Sequence, residues 1–403
     1  MRDNESRVAI ARAGGIVPLV AMLTAQDPAA GAEAARALRS LATNAENKVL
    51  IVQAGAIAPL VTLVQSGTDG QKEQAAGALR NLATNAENKV LIAQAGAISP
   101  LVTLVQSGTG VQKENAAGTL WNLAVNAENK VLIAQAGAIA PLVTLVQSGT
   151  DGQKEYAAGA LANLAINAEY QVLIARAGAI SPLVTLVQSG TDGQKEQAAG
   201  ALRRLAMIAE NKVLIAQAGA IAPLVTLVQS GTDGQKEHAA AALWSLAVNA
   251  ENRVLIAQAG AIAPLVTLVQ SGTDGQKEYA AGALANLAIN AEYQVLIARA
   301  GAISPLVTLV QSGTDGQKEQ AAGALRRLAM IAENKVLIAQ AGAIAPLATL
   351  VQSGTDGQKE LAAATLWNLA ANAENKVLIA QAGAISPLVT LVQSGTDGQK
   401  EQA

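Results

Sequence analysis

Residues 71–83 read QKEQAAGALRNLA, and variants of this string return from one end of the chain to the other. On a helix, Gln74 and Asn81 lie seven residues apart and share one face, while Ala75, Leu79 and Leu82 form an apolar stripe on another. Such a helix buries one side and presents a row of polar groups on the other. The expectation is an inner, ligand-facing layer of a repeat array.

Proline supplies the period. Pro18, Pro59, Pro100, Pro141, Pro182, Pro223, Pro264, Pro305, Pro346 and Pro387 follow one another at intervals of 41 residues, with only Pro28 outside the series. A period of this size marks a solenoid, in which each unit buries its apolar face against its neighbours. Nine full repeats and a partial tenth are expected. Their starts fall near Asp3, Asn44, Asn85, Asn126, Asn167, Ala209, Asn249, Asn290, Ala332 and Asn372. The whole chain, 1–403, reads as a single solenoid in which 372–403 form an incomplete terminal repeat.

Local signals divide each unit into three helices. Asn85 is placed to cap a short first helix ending near Gln94, with Gly96 just beyond its end. Ser99 and Pro100 are expected to cap and open a second helix, which Gly108 closes. Thr68 with Gln71 three residues on has the spacing of a capping box, opening a third helix that runs to about Ala83.

Composition narrows the function classes. Hydrophobic residues make up 51%, yet Phe is absent and aromatic residues are 2%, which suits thin layers of closely packed helices built from Ala, Leu, Val and Ile. A net charge of −2 gives no bulk pull towards nucleic acid or anionic lipid. The absence of Cys excludes disulfides and thiolate chemistry, and the single His238 leaves no histidine-based triad or multi-histidine metal site. No cofactor is expected, and the expected compartment is the cytoplasm or nucleus. MRDNESR at the start has no apolar signal core, and Arg2 stands where myristoylation needs Gly. The apolar run 131–146 contains Gln, Gly and Pro and is shorter than a bilayer span, so it reads as two short buried helices, not a transmembrane segment.

A second period overlies the first. Trp121, Trp244 and Trp367 are 123 residues apart, as are Arg80, Arg203 and Arg326, and Tyr156 and Tyr170 recur as Tyr279 and Tyr293. Residues 126–248 and 249–371 differ only at Lys130/Arg253, Val225/Ala348, His238/Leu361, Ala242/Thr365, Ser245/Asn368 and Val248/Ala371. A block of three repeats was copied almost whole, by tandem duplication or by construction. The variant first repeat, with Pro28, Arg36 and Ser40, favours a natural gene.

Strings of the AGAIAPLVTLVQSG and AAGALWNLAV type, in register over residues 3–403, resemble the armadillo repeat family. The resemblance is closer to β-catenin-like and to plant and protist adaptor repeats than to importin-α. It implies an all-α, right-handed superhelical solenoid whose third helices line a concave groove for an extended or disordered segment of another protein. It further implies that the Asn of the Leu-x-Asn-Leu-Ala string bonds to that segment's backbone. The chemistry agrees, because an Asn amide offers both a donor and an acceptor to a peptide unit. An extended dipeptide advances about 6.8 Å, and packed helices sit about 8–10 Å apart, so one Asn per two ligand residues is geometrically reasonable.

The ladder position reads Ser40, Asn81, Asn122, Asn163, Arg204, Ser245, Asn286, Arg327, Asn368. The alternative is that these are exposed polar residues on a solvated face. Importin-α-type receptors carry Trp one turn earlier, but the matching positions here are Arg36, Gly77, Gly118, Gly159, Gly200, Ala241, Gly282, Gly323 and Ala364. Lysine slots of the nuclear-import kind are therefore not expected. Trp121, Trp244 and Trp367 sit beside the ladder and read as half-buried groove-edge packing. Tyr156 and Tyr279 occupy the upper position where Gln74 stands, as does His238, a groove or surface histidine. The doublets Arg203–Arg204 and Arg326–Arg327 read either as anchors for a carboxylate or phosphate or as partners of nearby Glu residues such as Glu196 or Glu237.

These readings favour a non-enzymatic protein–protein adaptor. The rival classes are the recognition arm of a larger protein such as a ubiquitin ligase, and an engineered or structural array without a native ligand. The chain ends at Glu401-Gln402-Ala403, before the apolar pair of a third helix, so end-to-end self-association through an uncapped edge is a further expectation.

Overall fold

The computed structural model describes residues 2–402, which form thirty helices in a regular pattern of about 41 residues and no strands. Each full repeat has three. In the second one, these are the helices Ala45–Gln53, Ile57–Ser66 and Asp69–Leu82. The armadillo solenoid expected from the sequence is the fold.

The joints show why the string dictates these elements. Asn85 is extended, at φ −86° and ψ 138°, and its side chain accepts from the backbone N–H of Asn88 at 3.1 Å. This supplies one of the donors a helix start leaves orphaned. At the other end Gly96 takes φ +78°, and the Ala97 N–H donates to Ile92 O at 3.3 Å, closing the helix. A side chain at that left-handed angle would be strained, so a Gly recurs there in every repeat. The chain turns by 85° into Ile98–Ser107. Residues 131–146 break in the same way, and no single described helix is long and apolar enough to cross a membrane.

The second helix corrects one expectation. It starts at Ile98, not after Ser99, with Ala97 before it and no side-chain cap. The tight glycine turn leaves no linker to be capped. Pro100 is tolerated in the first turn because its missing N–H would have had no intrahelical acceptor. Gly108 then serves close approach, since a Cβ there would lie 2.6 Å from Leu104 O.

The capping box forms as its spacing predicts: Gln71 Oε1 accepts from the Thr68 N–H at 2.9 Å, and Thr68 Oγ1 accepts from the Gln71 N–H. It also links repeats. The Gln112 amide donates to Asp69 O at 2.9 Å, and Gln194, Gln276, Gln317 and Gln358 donate likewise to the Asp one repeat earlier. A Glu would cap the helix but could not make this bond.

Two compact units are distinguished, residues 1–208 and 209–403. In the first, third helices Pro28–Leu41, Asp69–Leu82, Gly110–Leu123, Asp151–Leu164 and Asp192–Leu205 pack in succession. In the second, Asp233–Leu246, Asp274–Leu287, Asp315–Leu328, Asp356–Leu369 and Asp397–Gln402 do the same. Ala75, Ala76, Leu79 and Leu82 are fully enclosed, against Leu60 and Val64 of the second helix. The alanines let the third helices approach closely, and the leucines carry the burial. Truncating one such Leu to Ala typically costs about 2–5 kcal/mol.

Candidate peptide-binding ladder

Every ladder Asn is half-buried and anchored to the repeat before it. Asn81 Nδ2 donates to Arg39 O at 2.9 Å, Asn122 to Arg80 O at 3.2 Å and Asn163 to Trp121 O at 3.3 Å. Asn286 donates to Trp244 O and Asn368 to Arg326 O, both at 3.1 Å. The acceptors are carbonyls in the last turn of the preceding third helix, which have no intrahelical partner. The ladder is therefore not merely a solvated face. Asn is used where Glu or Lys would make a better helix because it satisfies this carbonyl. One amide hydrogen remains, and Oδ1 accepts no bond at Asn81, Asn122 and Asn368. At Asn163 and Asn286 it accepts from Arg204 and Arg327, each at 3.4 Å.

One position before the ladder, the residue cycles through Arg80, Trp121, Ala162, then Arg203, Trp244, Ala285, then Arg326, Trp367. For Arg39, Arg80, Trp121 and Trp244 the side chain lies over the glycine of the following repeat. A Cβ on Gly77 would meet Arg39 at 2.7 Å, on Gly118 Arg80 at 2.7 Å, on Gly159 Trp121 at 2.7 Å and on Gly282 Trp244 at 2.8 Å. Gly77, Gly118, Gly159 and Gly282, which stand where importin-type receptors carry Trp, are thus explained by packing between repeats. Trp121 stacks on Tyr156 with ring centroids 5.6 Å apart, and the Arg80 guanidinium caps that ring at 5.5 Å. Trp244 and Tyr279 repeat the stack at 5.8 Å. Trp121 and Trp244 are half-buried as expected, but Trp367 is 69% exposed, with no corresponding glycine after it among the described residues. Ser245 and His238 are half-buried on the same helix.

Arg204 and Arg327 take over the job of the Asn they replace. Their Nη1 atoms donate to Ala162 O and Ala285 O, the carbonyls an Asn would have reached. Among the described residues neither meets a carboxylate, so of the two readings of the doublets, pairing with Glu196 or Glu237 does not occur at these two positions. Burial lowers the pKa of both guanidiniums, and the adjoining Arg203 or Arg326 lowers it further. An acidic row runs along the opposite end of the third helices. There Glu155 is held above the usual carboxylate range by burial and by Glu196.

Two features were missed by sequence reasoning. Val125, Ile166, Met207, Val248, Ile289 and Met330 stand just past the third helices, and all are exposed, Met207 at 68%. Their signal was present, since an apolar residue recurs where Thr84 marks a turn. The other is that Lys130 and Arg253, from first helices, lie beside the arginine doublets: Arg204 adds to the burial that lowers Lys130, and Arg253 is among the charges lowering Arg327. Clefts of about 280 to 530 Å³ also recur beside the second helices, one lined by Gln106, Lys113, Pro141 and Thr144, but they hold no ladder residue.

Three-helix units with one polar position repeated along their third helices define an α-solenoid. The chain belongs to the armadillo repeat family. Residues 15–299 match the family model for the ARM repeat region of plant U-box proteins, and 290–330 and 332–371 match the armadillo/β-catenin-like repeat. The chain is similar to the crystal structure of an engineered protein, at 33% identity and a TM-score of 0.84, over 96% of this chain and 97% of that one. No curated protein matches it. Armadillo repeats generally mediate protein–protein interaction, and their families are typically non-enzymatic scaffolds.

Proposed function

We propose that this chain is a non-enzymatic adaptor that holds an extended segment of another protein along its third helices, at the ladder Asn residues. The observation that carries this is the unengaged Oδ1 of Asn81, Asn122 and Asn368, together with the second amide hydrogen. An extended backbone presents N–H and C=O groups that match this pair at every second residue. Each bond contributes about 0.5–1.5 kcal/mol net, so measurable affinity requires several repeats acting together. The aromatic stacks at Trp121–Tyr156 and Trp244–Tyr279 flank the ladder and supply flat surfaces for ligand side chains.

Because each Asn also ties two repeats together, its removal must be read against stability. Asn122→Ala and Asn163→Ala lose the same inter-repeat bond, and Asn163→Ala also loses the contact with Arg204, so it should destabilise at least as much. Only Asn122 has a free Oδ1, so Asn122→Ala should weaken binding of display-selected extended peptides more than Asn163→Ala. Equal losses of binding, or no enrichment of extended peptides at all, would overturn the mechanism.

A further inference from the structure

In the second unit three cationic side chains converge beside an open notch. Arg326 and Arg327 end the helix Asp315–Leu328, and Arg253 lies in Ala250–Gln258. Arg327 Nη1 donates to Ala285 O and Asn286 Oδ1, while Arg253 Nη1 donates to Ala247 O at 3.3 Å and Val248 O at 3.2 Å. All of these acceptors are neutral oxygens. Arg253 Nε is buried without a partner, and among the described residues no carboxylate pairs with Arg253, Arg326 or Arg327. Burial, then Arg326 and Arg253, lower Arg327, so the cluster is short of negative charge.

The notch is a vacancy in the Arg–Trp–Ala cycle. Over Gly77, Gly118, Gly159 and Gly282 the preceding Arg or Trp fills the space, whereas a Cβ on Gly323 meets nothing nearer than Leu361, at 3.8 Å. The preceding residue there is Ala285, too short to cover it. Three residues beyond Arg327, Met330 is 64% exposed. The first unit carries the same residue types at Ala162, Arg203, Arg204, Lys130 and the exposed Met207, but Gly200 there is buried, so the notch belongs to the second unit. There cations, notch and exposed methionine coincide, where the repeat departs from its own consensus.

We propose that this set is a seat for an oxyanion side chain on the bound segment, a carboxylate or a phosphoryl group, with an apolar neighbour of that side chain lying over Met330. The inference rests on the extended-peptide reading above. An oxyanion supplies the missing counter-charge, and the guanidinium fork matches its paired oxygens. A phosphoryl group, with three acceptor oxygens and nearly two charges, fits three cations better than a carboxylate does.

The sequence itself provides a fold-neutral test. Asn stands at the equivalent ladder position in five other repeats and reaches the same carbonyl, so Arg327→Asn removes a cation and keeps the inter-repeat bond. Gln occupies the position of Arg253 at Gln171 and Gln294, so Arg253→Gln is a second variant. The probes are three fluorescent pools of degenerate decapeptides whose central residue is fixed as phosphoserine, Glu or Ala. On the unmodified chain the phosphoserine pool should bind at least about tenfold more tightly than the Ala pool, with Glu between them. Both variants should melt as the parent does and lose the ranking, bringing the three pools to equal binding. Equal binding of the three pools by the parent, or a ranking that survives both variants, overturns the oxyanion seat and leaves the peptide reading intact. Failure of every pool to bind overturns both. A Glu pool that equals the phosphoserine pool identifies the natural group as a carboxylate.

Discussion

Replacing Gln358 by Glu tests how the repeats are joined. At the third position of a helix both residues complete a capping box, and by local rules the substitution is neutral. In the structure Gln358 is 2% exposed, its Oε1 accepts from the Thr355 N–H at 3.1 Å, and its Nε2 donates to Asp315 O at 2.9 Å and Asp315 Oδ1 at 3.3 Å. A carboxylate keeps the first bond, loses the other two and faces both a carbonyl and a carboxylate. The unsatisfied Asp315 carbonyl alone costs about 1–3 kcal/mol. Two charges at that separation repel by about 5 kcal/mol at an effective dielectric near 20, but Asp315 is exposed and solvent screens much of this. Protonation also limits the penalty, so the expected loss at pH 7 is about 2–3 kcal/mol. The folded-state pKa of the introduced carboxyl would lie above its unfolded value. The native state therefore favours the protonated form, which restores a donor. The deficit should shrink as pH falls from the raised folded value towards about 4.3, and be smallest below that. Gln358→Met loses these two bonds and the one to Thr355, without adding charge, and its loss should not depend on pH in this way. Urea unfolding followed by circular dichroism at pH 7 and pH 4, with amide exchange at Thr355, reads all three chains. If Gln358→Glu is as stable as the parent at pH 7, or tracks Gln358→Met at both pH values, the reasoning fails.

The glycines of the third helices should split by what lies over them. Gly323→Ala gains helix propensity with no clash and should raise the melting temperature, by at most about 1 kcal/mol of stability. Gly159→Ala meets Trp121 at 2.7 Å and should destabilise while shifting tryptophan fluorescence, and a stabilised Gly159→Ala would refute the packing explanation. Among single-tryptophan variants, the one retaining Trp367 should emit furthest to the red and be quenched most by acrylamide, given its 69% exposure. Similar quenching of Trp121 and Trp367 would contradict the described geometry.

The sequence by itself determined the repeat and its parts. Period, helix starts, the glycine turns and the capping boxes are local, set by backbone conformation and by side chains within a few residues of one another. Asn85, Gly96 and Thr68 with Gln71 could therefore be read directly. The start of the second helix could not, because Ser99 and Pro100 carry cap signals that a tight glycine turn overrides. Membership of the ladder was legible as well, from the face shared by Gln74 and Asn81. Only the tertiary structure decided what each ladder residue does, since its partner lies 42 residues away in the preceding repeat. It showed that Asn81 is tied to Arg39 yet keeps an acceptor free, that Asn163 has spent its acceptor on Arg204, and that Gly323 lies open while Gly159 is covered. A repeat pattern fixes which residues face one another. Whether the facing side chain fills the gap, bonds across it or leaves it open depends on its length in the neighbouring repeat, and that is a property of the packed stack.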